Sequence, residues 1–562
     1  MSKLNKDVIS LILKELYDRG NTLYSCLLVD RTWYEMTVPI LWKNPFRFHL
    51  KEKAHIIIIN VILSYLSEES RVNLRNQGIE LINTYQHQQP LLNYISFWKY
   101  LDLAVLDKMI ETFVTDTNIN QSKISIIGLE IMNIFNRNTK FYFLCSYSRY
   151  NFTSGTELCF SELGCLHCNS TQDNSILAEG LAILNTSIKK LSFDIVYNNT
   201  HNFGIIKLIE GQKNLKEVKF SNKYRVTFKE SIIGPLEELL IKCADTIQYL
   251  KVDWKPVTNL FSYLVNLISL EIHGYLHNNW NHLENISLPL LKYLKAHYVP
   301  SKILASLIEN TIGNLIEISI IYVQSDYDEG RLIHAIYQNC SNLNYLKLSL
   351  FSENFSEFEN LLINCQILNG LEIFCIHENQ INWKILYEIL TRSTPIGLFK
   401  FKFIHFTINS YLKIDLESLS LFLDNWKDRS SMLLQIFSLI KVKQIQQHQL
   451  KLEDLLQKYK TKGVIKNYCT NRVAENGDLP NYLNKNCNKL YFSDKINYLH
   501  SIARGIADIL KNELIHRVLH IGRFKDLTCI TDMGLCKPAD YNSSENTKNN
   551  TYSILSYIAP EN

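Results

Sequence analysis

An α/β solenoid is the fold class that this sequence predicts, on three observations. One short pattern, LxxLxΦ with Φ apolar, recurs through the middle of the chain. Its apolar positions are Leu163/Leu166/Cys168, Ile188/Leu191/Phe193, Leu215/Val218/Phe220, Ile247/Leu250/Val252 and Leu267/Leu270/Ile272, then Leu291/Leu294/Ala296, Leu315/Ile318/Ile320, Leu343/Leu346/Leu348, Leu368/Leu371/Ile373 and Ile396/Phe399/Phe401. From Leu163 to Ile396 nine steps cover 233 residues, a mean of about 26, which suits one strand and one helix per repeat. The residue between the last two apolar positions is polar in all ten units: His167, Ser192, Lys219, Lys251, Glu271, Lys295, Ser319, Lys347, Glu372 and Lys400. That alternation is a strand with one dry and one wet face. Amphipathic stretches such as Leu236 to Ala244, Ile303 to Glu309, Leu332 to Tyr337 and Trp383 to Leu390 fill the gaps. No unit of this kind buries its apolar face alone, so the units must stack. Steps of 20 to 32 residues leave individual strand registers open to slippage.

The composition narrows the function classes. At 562 residues the chain exceeds one core and suggests three or four domains. Fifty-nine basic against 55 acidic residues give a net charge of +4, which argues for neither a nucleic-acid nor a membrane partner. Nineteen glycines and 11 prolines are few, favouring helices over hairpins. The closest glycines, Gly204 and Gly211, stand seven apart, so GxGxxG, GxxxxGK[ST] and GxSxG are all absent. The charged opening Met1 to Asp7 has no signal-peptide core, and the apolar run Ala54 to Leu66 is too short to span a bilayer. Thirteen scattered cysteines then read as reduced thiols, and a cytoplasmic or nuclear location is expected.

Residues 1–45 carry a helical signature. Val8, Ile12 and Leu16 stack on one face, and Ile9, Leu11 and Leu13 widen the stripe, so this helix is expected to be largely buried. Cys26-Leu-Leu-Val29-Asp-Arg-Thr-Trp33 and Leu41-Trp42-Lys43 follow. The constellation resembles an F-box. Leu4 to Val8 sits where that family opens with Leu-Pro-x-Glu-Ile, Asn5 replacing the usual proline, and the later segments match its C-x-L-V-x-[KR]-x-W run and closing L-W. A module so short and apolar cannot cover its own surface. The resemblance implies that Leu4, Val8, Ile12, Leu16, Leu27, Val29, Trp33, Leu41 and Trp42 dock on Skp1, the family's adaptor partner. A small bundle capping the solenoid is the other reading. Residues 46–150 read as a helical connector and 151–425 as the repeats. The order is similar to that of fungal F-box/leucine-rich-repeat proteins, a resemblance covering roughly residues 1–425. It implies a substrate receptor in an SCF-type ubiquitin ligase, acting with Skp1 and cullin-based subunits on an unknown client.

Residues 426–462 read as a helical linker, with Leu433, Leu434, Phe437, Leu452, Leu455, Leu456 and Tyr459 among its apolar positions. Residues 463–562 resemble a piece of a protein kinase. Ala474 to Leu483 is similar to the segment after the kinase hinge, and Ile496 to Leu510 to the helix before the catalytic loop. His516-Arg517-Val518-Leu519 stands for H-R-D-L, Asp532-Met533-Gly534 for D-F-G, and Ala559-Pro560-Glu561 for A-P-E. A kinase needs a carboxylate to orient the substrate hydroxyl and an amide to hold the second Mg²⁺. Val518 and Arg523 occupy those two positions, and no glycine loop exists. The segment is therefore expected to be a truncated, mainly helical pseudokinase remnant without phosphotransfer, one that caps the solenoid or stays partly disordered.

Other chemistry is sparse. Cys159, Cys165, His167 and Cys168 have the spacing of half a zinc site but lack a second ligand pair, and buried packing of Cys168 is preferred. No catalytic residue, metal or cofactor is nominated. Lys219, Lys251, Lys295, Lys347 and Lys400, with Tyr249, Tyr293 and Tyr345 two residues before three of them, mark the wet face as a candidate client surface for an acidic segment. The alternative is a solvated strand face. The expected function is non-enzymatic substrate recognition. Its rivals are a kinase-like signalling protein retaining nucleotide binding and a plain solenoid scaffold.

Overall fold

Capping side chains open the N-terminal helices. Asn5 Oδ1 accepts the Asp7 N–H at the start of helix Lys6–Glu15, so the residue standing where a proline is usual serves as an N-cap. Helix Gly20–Cys26 follows, and Asp30 caps helix Arg31–Lys43 by accepting the Trp33 N–H at 2.9 Å. The computed structural model describes residues 5–470 and the backbone of 514–516, 520–524, 527–531 and 536–538. Short stretches between them (18–19, 48–51, 81–91, 147–157, 185–186, 196–202, 223–229, 275–279, 284, 312, 322–328, 376–381, 406–414, 427–428 and 439–445) are outside the described residues.

The chain forms two units, 1–275 and 276–562. In the first, seven parallel strands pair in chain order: β1 (Tyr100–Asp102), β2 (Phe143–Ser146), β3 (Cys165–Asn169), β4 (Lys190–Asp194), β5 (Glu217–Ser221), β6 (Tyr249–Val252) and β7 (Ser269–His273). Helices Leu103–Asp116, Ile124–Asn138, Gln172–Leu184, Phe203–Glu210, Glu230–Lys242 and Leu260–Tyr263 alternate with them. In the second unit β8 (Tyr293–His297), β9 (Glu317–Ile321), β10 (Tyr345–Ser349), β11 (Gly370–Cys375), β12 (Lys400–His405), β13 (Met432–Ser438) and β14 (Ile465–Thr470) pair the same way. Helices again separate the strands, from Ser301–Asn310 to Gln446–Thr461. Both units are thus α/β, with the strand–helix alternation of a leucine-rich-repeat solenoid.

The predicted alternation decides which face is dry. Leu166, Leu191, Val218, Leu250 and Leu270 form the central column of the first unit, and Leu294, Ile318, Leu346 and Leu371 that of the second, none more than 2% exposed. Within each unit, backbone bonds entering the strands tie a repeat to the one before it. Lys216 N–H donates to Lys189 O and Gln248 N–H to Lys216 O, both at 2.8 Å; in the second unit Asn344 N–H donates to Ile316 O at 2.8 Å.

Three expectations are corrected. The tenth repeat is slipped by two residues: Phe401 pairs with Leu371 and Phe403 with Ile373, so the buried triplet is Leu398/Phe401/Phe403, while Ile396 is 83% exposed. Apolar residues at both spacings fit the pattern, and the aromatic packing of Phe403 on Trp383 and Tyr387 selects one. The connector is not wholly helical, since β1 and β2 start the parallel series before residue 151. The linker expected to be helical holds β13 before helix Gln446–Thr461, because Leu434 and Ile436 align with Phe401 and Phe403 and complete their sheet. In 463–562 the described residues hold β14, then β15 (Leu514–His516), β16 (His520–Phe524), β17 (Leu527–Thr531) and β18 (Cys536–Pro538), and the stretch 496–510 expected to be helical lies outside the described residues.

No helix among the described residues is long and apolar enough to cross a membrane.

Candidate docking surfaces

The N-terminal helices bury one side and leave the other open. Ile9 and Leu13, one turn apart, close on Leu23 and Cys26, and Leu16, Trp33, Met36, Ile40 and Leu41 pack against them. Outside that core Leu28 is 88%, Leu11 62% and Val29 59% exposed, and Val8 and Tyr24 are exposed beside them. The first helix is therefore not largely buried as expected. Its neighbours cover only the Ile9/Leu13 stripe, and the Val8/Leu11 side faces out.

Of the nine residues assigned to Skp1 docking, Val8 and Val29 are exposed, and Ile12, Leu16, Leu27, Trp33, Leu41 and Trp42 are half-buried. Leu4 lies outside the described residues. Trp42 is engaged by its own chain, with its ring 4.9 Å from Tyr94 and 6.4 Å from Trp98. Phe46 stacks edge-on against Trp98 at 5.1 Å, and Tyr34 and Tyr94 share a hydroxyl bond of 2.6 Å. Those contacts anchor the third helix to the connector. Leu28 and Tyr24 were absent from the nine, although the run Leu27-Leu28-Val29 carried the signal: three apolar residues after a helix end cannot all turn inward.

The wet face of the first unit is an ionic ladder. Strand register lines up Asp102, Cys145, His167, Ser192, Lys219, Lys251 and Glu271 across β1 to β7. Lys251 Nζ lies 2.8 Å from Glu271 Oε1, and Tyr249 donates its hydroxyl to Glu271 Oε2 at 3.1 Å. Burial pushes the Glu271 carboxyl up, but His273 and Lys251 hold it well below the usual carboxylate range. His273 sits between Asp253, 3.0 Å from Nδ1, and Glu271, 3.3 Å from Nε2. Burial lowers that imidazole, and the two carboxylates raise it by more. Lys219 lies 2.7 Å from Glu217 and 4.8 Å from the centre of the Tyr249 ring.

In the second unit the corresponding row is Lys295, Ser319, Lys347, Glu372, Lys402, Gln435 and Cys469. Glu372 is buried and shared: Lys347 pairs with it, Lys402 stands 3.4 Å away, and the Tyr345 hydroxyl donates at 2.7 Å. Burial raises that carboxyl, and the two lysines pull it below its ordinary value. Gly370 makes room for this arrangement, since a Cβ there would come within 2.5 Å of the Tyr345 ring. Lys295 and Lys400 are exposed and Tyr293 half-buried. The two-residue slip moves Lys400 out of the lysine column into the neighbouring one, opposite Gly370, and puts Lys402 in its place. The eight residues assigned to a client therefore do not form one open cationic face. Lys251 and Lys347 are held by carboxylates.

The cysteine group is packed rather than convergent. Cys159 and Cys168 are buried, burial pushes the Cys159 thiol up to about 12, and His167 turns toward Asp194 at 3.5 Å. Among the described residues no three His, Cys, Asp or Glu side chains are placed to hold a metal ion.

In the C-terminal segment the described backbone forms two antiparallel pairs. His516 pairs with Cys536 in β15/β18, and His520 with Thr531 in β16/β17. The paired strand ends bracket both kinase-like motifs, between 516 and 520 and between 531 and 536. Arg517, Asp532, Gly534, Pro560 and Glu561 themselves lie outside the described residues, as do 474–483 and 496–510. The family model for protein tyrosine and serine/threonine kinase matches residues 428–562. That span includes β13 and β14, which belong to the parallel sheet of the second unit. No curated protein matches the chain.

Proposed function

We propose that this chain is a substrate-recognition subunit of an SCF-type ubiquitin ligase, docking Skp1 through its N-terminal helices and presenting a client on its repeats. One observation carries the reading. Val8, Leu11, Tyr24, Leu28 and Val29 remain exposed on a module whose core is Ile9, Leu13, Leu23 and Cys26. A patch of large apolar side chains at one end of a chain marks a protein interface. Leu28, in the turn after the second helix, and Leu11 on the first helix are its most exposed members. Ubiquitin transfer itself belongs to partner subunits, and the chain needs no catalytic residue for this role. Co-purification with Skp1 tests the reading: Leu28→Glu is expected to abolish capture with the melting temperature unchanged. Undiminished capture by Leu28→Glu and by Leu11→Glu would reject it, and the repeats would then be a plain scaffold.

A second reading, a kinase-like protein that binds nucleotide, is favoured by the family match and by the paired strands around the two motifs. Against phosphotransfer stand Val518, which accepts no proton, and Arg523, which repels a divalent cation. We therefore read the segment as a pseudokinase. A thermal-shift titration with Mg·ATP separates the readings, since a ligand of the native state raises its stability.

A further inference from the structure

We infer that a second docking surface lies where the N-terminal helices meet the first strands, and that it takes an acidic peptide segment carrying apolar or aromatic side chains. The inference rests on the client-receptor reading and gives the client a place and a chemistry.

The surface is built from rings. Tyr100 and Phe143 are register partners on β1 and β2, their centroids 5.6 Å apart. Tyr142, at the start of β2, lies 6.4 Å from Tyr100 and is 39% exposed. Its ring covers Gly164, where a Cβ would approach it to 2.3 Å, so the glycine lets the ring lie flat. Cations rim the aromatics. The Lys43 ammonium stands 6.0 Å from the centre of the Tyr100 ring, and the Arg47 guanidinium 3.5 Å from that of Tyr17. Lys190 continues the row of Tyr100, Phe143 and Cys165, ion-paired with Glu217 at 2.5 Å, so Lys43 and Arg47 carry the rim.

Tyrosine and arginine dominate the energetic centres of protein interfaces because they offer large, stiff contact area with a polar tip. Here they gather within one patch, with Lys43 and Arg47 set against the Tyr100 and Tyr17 rings. The positive rim selects acidic residues of a partner, and the half-buried rings select apolar ones between them. A single-stranded nucleic acid would also stack on rings. It requires a positively charged groove that tracks its backbone, which two rim cations and a net charge of +4 do not supply.

Fluorescence anisotropy on the full chain tests the inference. A fluorescein-labelled peptide of alternating glutamate and phenylalanine is expected to bind saturably, and to weaken about tenfold in each of the variants Lys43→Glu and Tyr142→Ala. A matched lysine–phenylalanine peptide and an oligo-uridylate of equal length are expected to bind at least about tenfold more weakly. No saturable binding, equal binding of the lysine peptide, tighter binding of oligo-uridylate, or unchanged binding in both variants overturns it. Skp1 capture separates the two sites. Lys43→Glu is expected to keep Skp1 and lose the peptide, and Leu28→Glu the reverse. Retention of Skp1 by both Leu28→Glu and Leu11→Glu would sink the adaptor reading while leaving the peptide result to stand or fall alone.

Discussion

Replacing Asp102 with asparagine is expected to stabilise the first unit at neutral pH and to do little in acid. Asp102 ends β1 and caps helix Leu103–Asp116, its Oδ1 accepting the Ala104 and Val105 N–H groups at 3.0 and 3.2 Å. Burial pushes its carboxyl from 3.8 to about 6, although those two N–H groups, the Cys145 thiol and His167 pull the other way. Between those two pH values the folded state binds more protons than the unfolded one, so this residue's contribution falls as pH rises from about 4 to about 6. At about 1.4 kcal/mol per pH unit, the ionised side chain costs roughly 3 kcal/mol at pH 7. Asparagine keeps the capping acceptor but gives up the charge at the helix N-terminus, worth about 0.5–1 kcal/mol. The net gain is about 2 kcal/mol, which raises the first unit's thermal transition by roughly 4–8 °C. Thermal unfolding of the full-length variant and its parent at pH 7.5 and pH 4.5 measures it. A destabilised variant at pH 7.5, or an equal gain at both pH values, would refute the reasoning.

Two further outcomes are expected. Glu237 is fully buried and accepts from Trp254 Nε1 at 2.9 Å, Val257 N–H at 3.1 Å, and both the Thr258 N–H and hydroxyl at 2.7 and 2.6 Å. Glu237→Ala strands those donors together and should cost about 3–5 kcal/mol, with faster amide exchange at Val257 and Thr258. A loss under about 1 kcal/mol would show that water replaces the carboxylate. Ending the chain at Thr470 should leave the repeat transitions intact, whereas ending it at residue 427 removes β13 and β14 from β12 and should lower the second unit's melting temperature or cause aggregation. Equal stability of the two truncations would contradict the placement of these strands.

Fold class was legible because a strand inside a repeat alternates strictly, and the middle column of apolar residues obeyed that rule at every step from Leu166 to Leu371. Register failed where the pattern was redundant. Ile396, Leu398, Phe399, Phe401 and Phe403 satisfy it at two spacings, and only the aromatic neighbours contributed by helices Trp383–Ser393 and Leu416–Asp424 choose between them. β13 is ambiguous in sequence for a related reason: Leu433 to Phe437 fits either period, and the edge of β12 decides. The charge pairing was more accessible than it looked. In the column of intervening residues Glu271 directly follows Lys251, and Glu372 directly follows Lys347, so adjacent repeats already announced neighbouring opposite charges. On the N-terminal helices the run Leu27-Leu28-Val29 signalled an outward residue, but the side of the first helix that faces out was not legible, because an apolar side chain carries no mark of whether its cover comes from its own chain or from another.

The backbone bond that leads into each strand reaches only to the preceding turn, and this has a consequence for how such a chain changes over time. A series joined by nearest-neighbour links accepts any newcomer that supplies one alternating strand and one amphipathic helix, whatever its origin. Strands β13 and β14 lie at once within a kinase family match and in the parallel ladder. A segment's likeness to one family thus does not fix which sheet its strands complete.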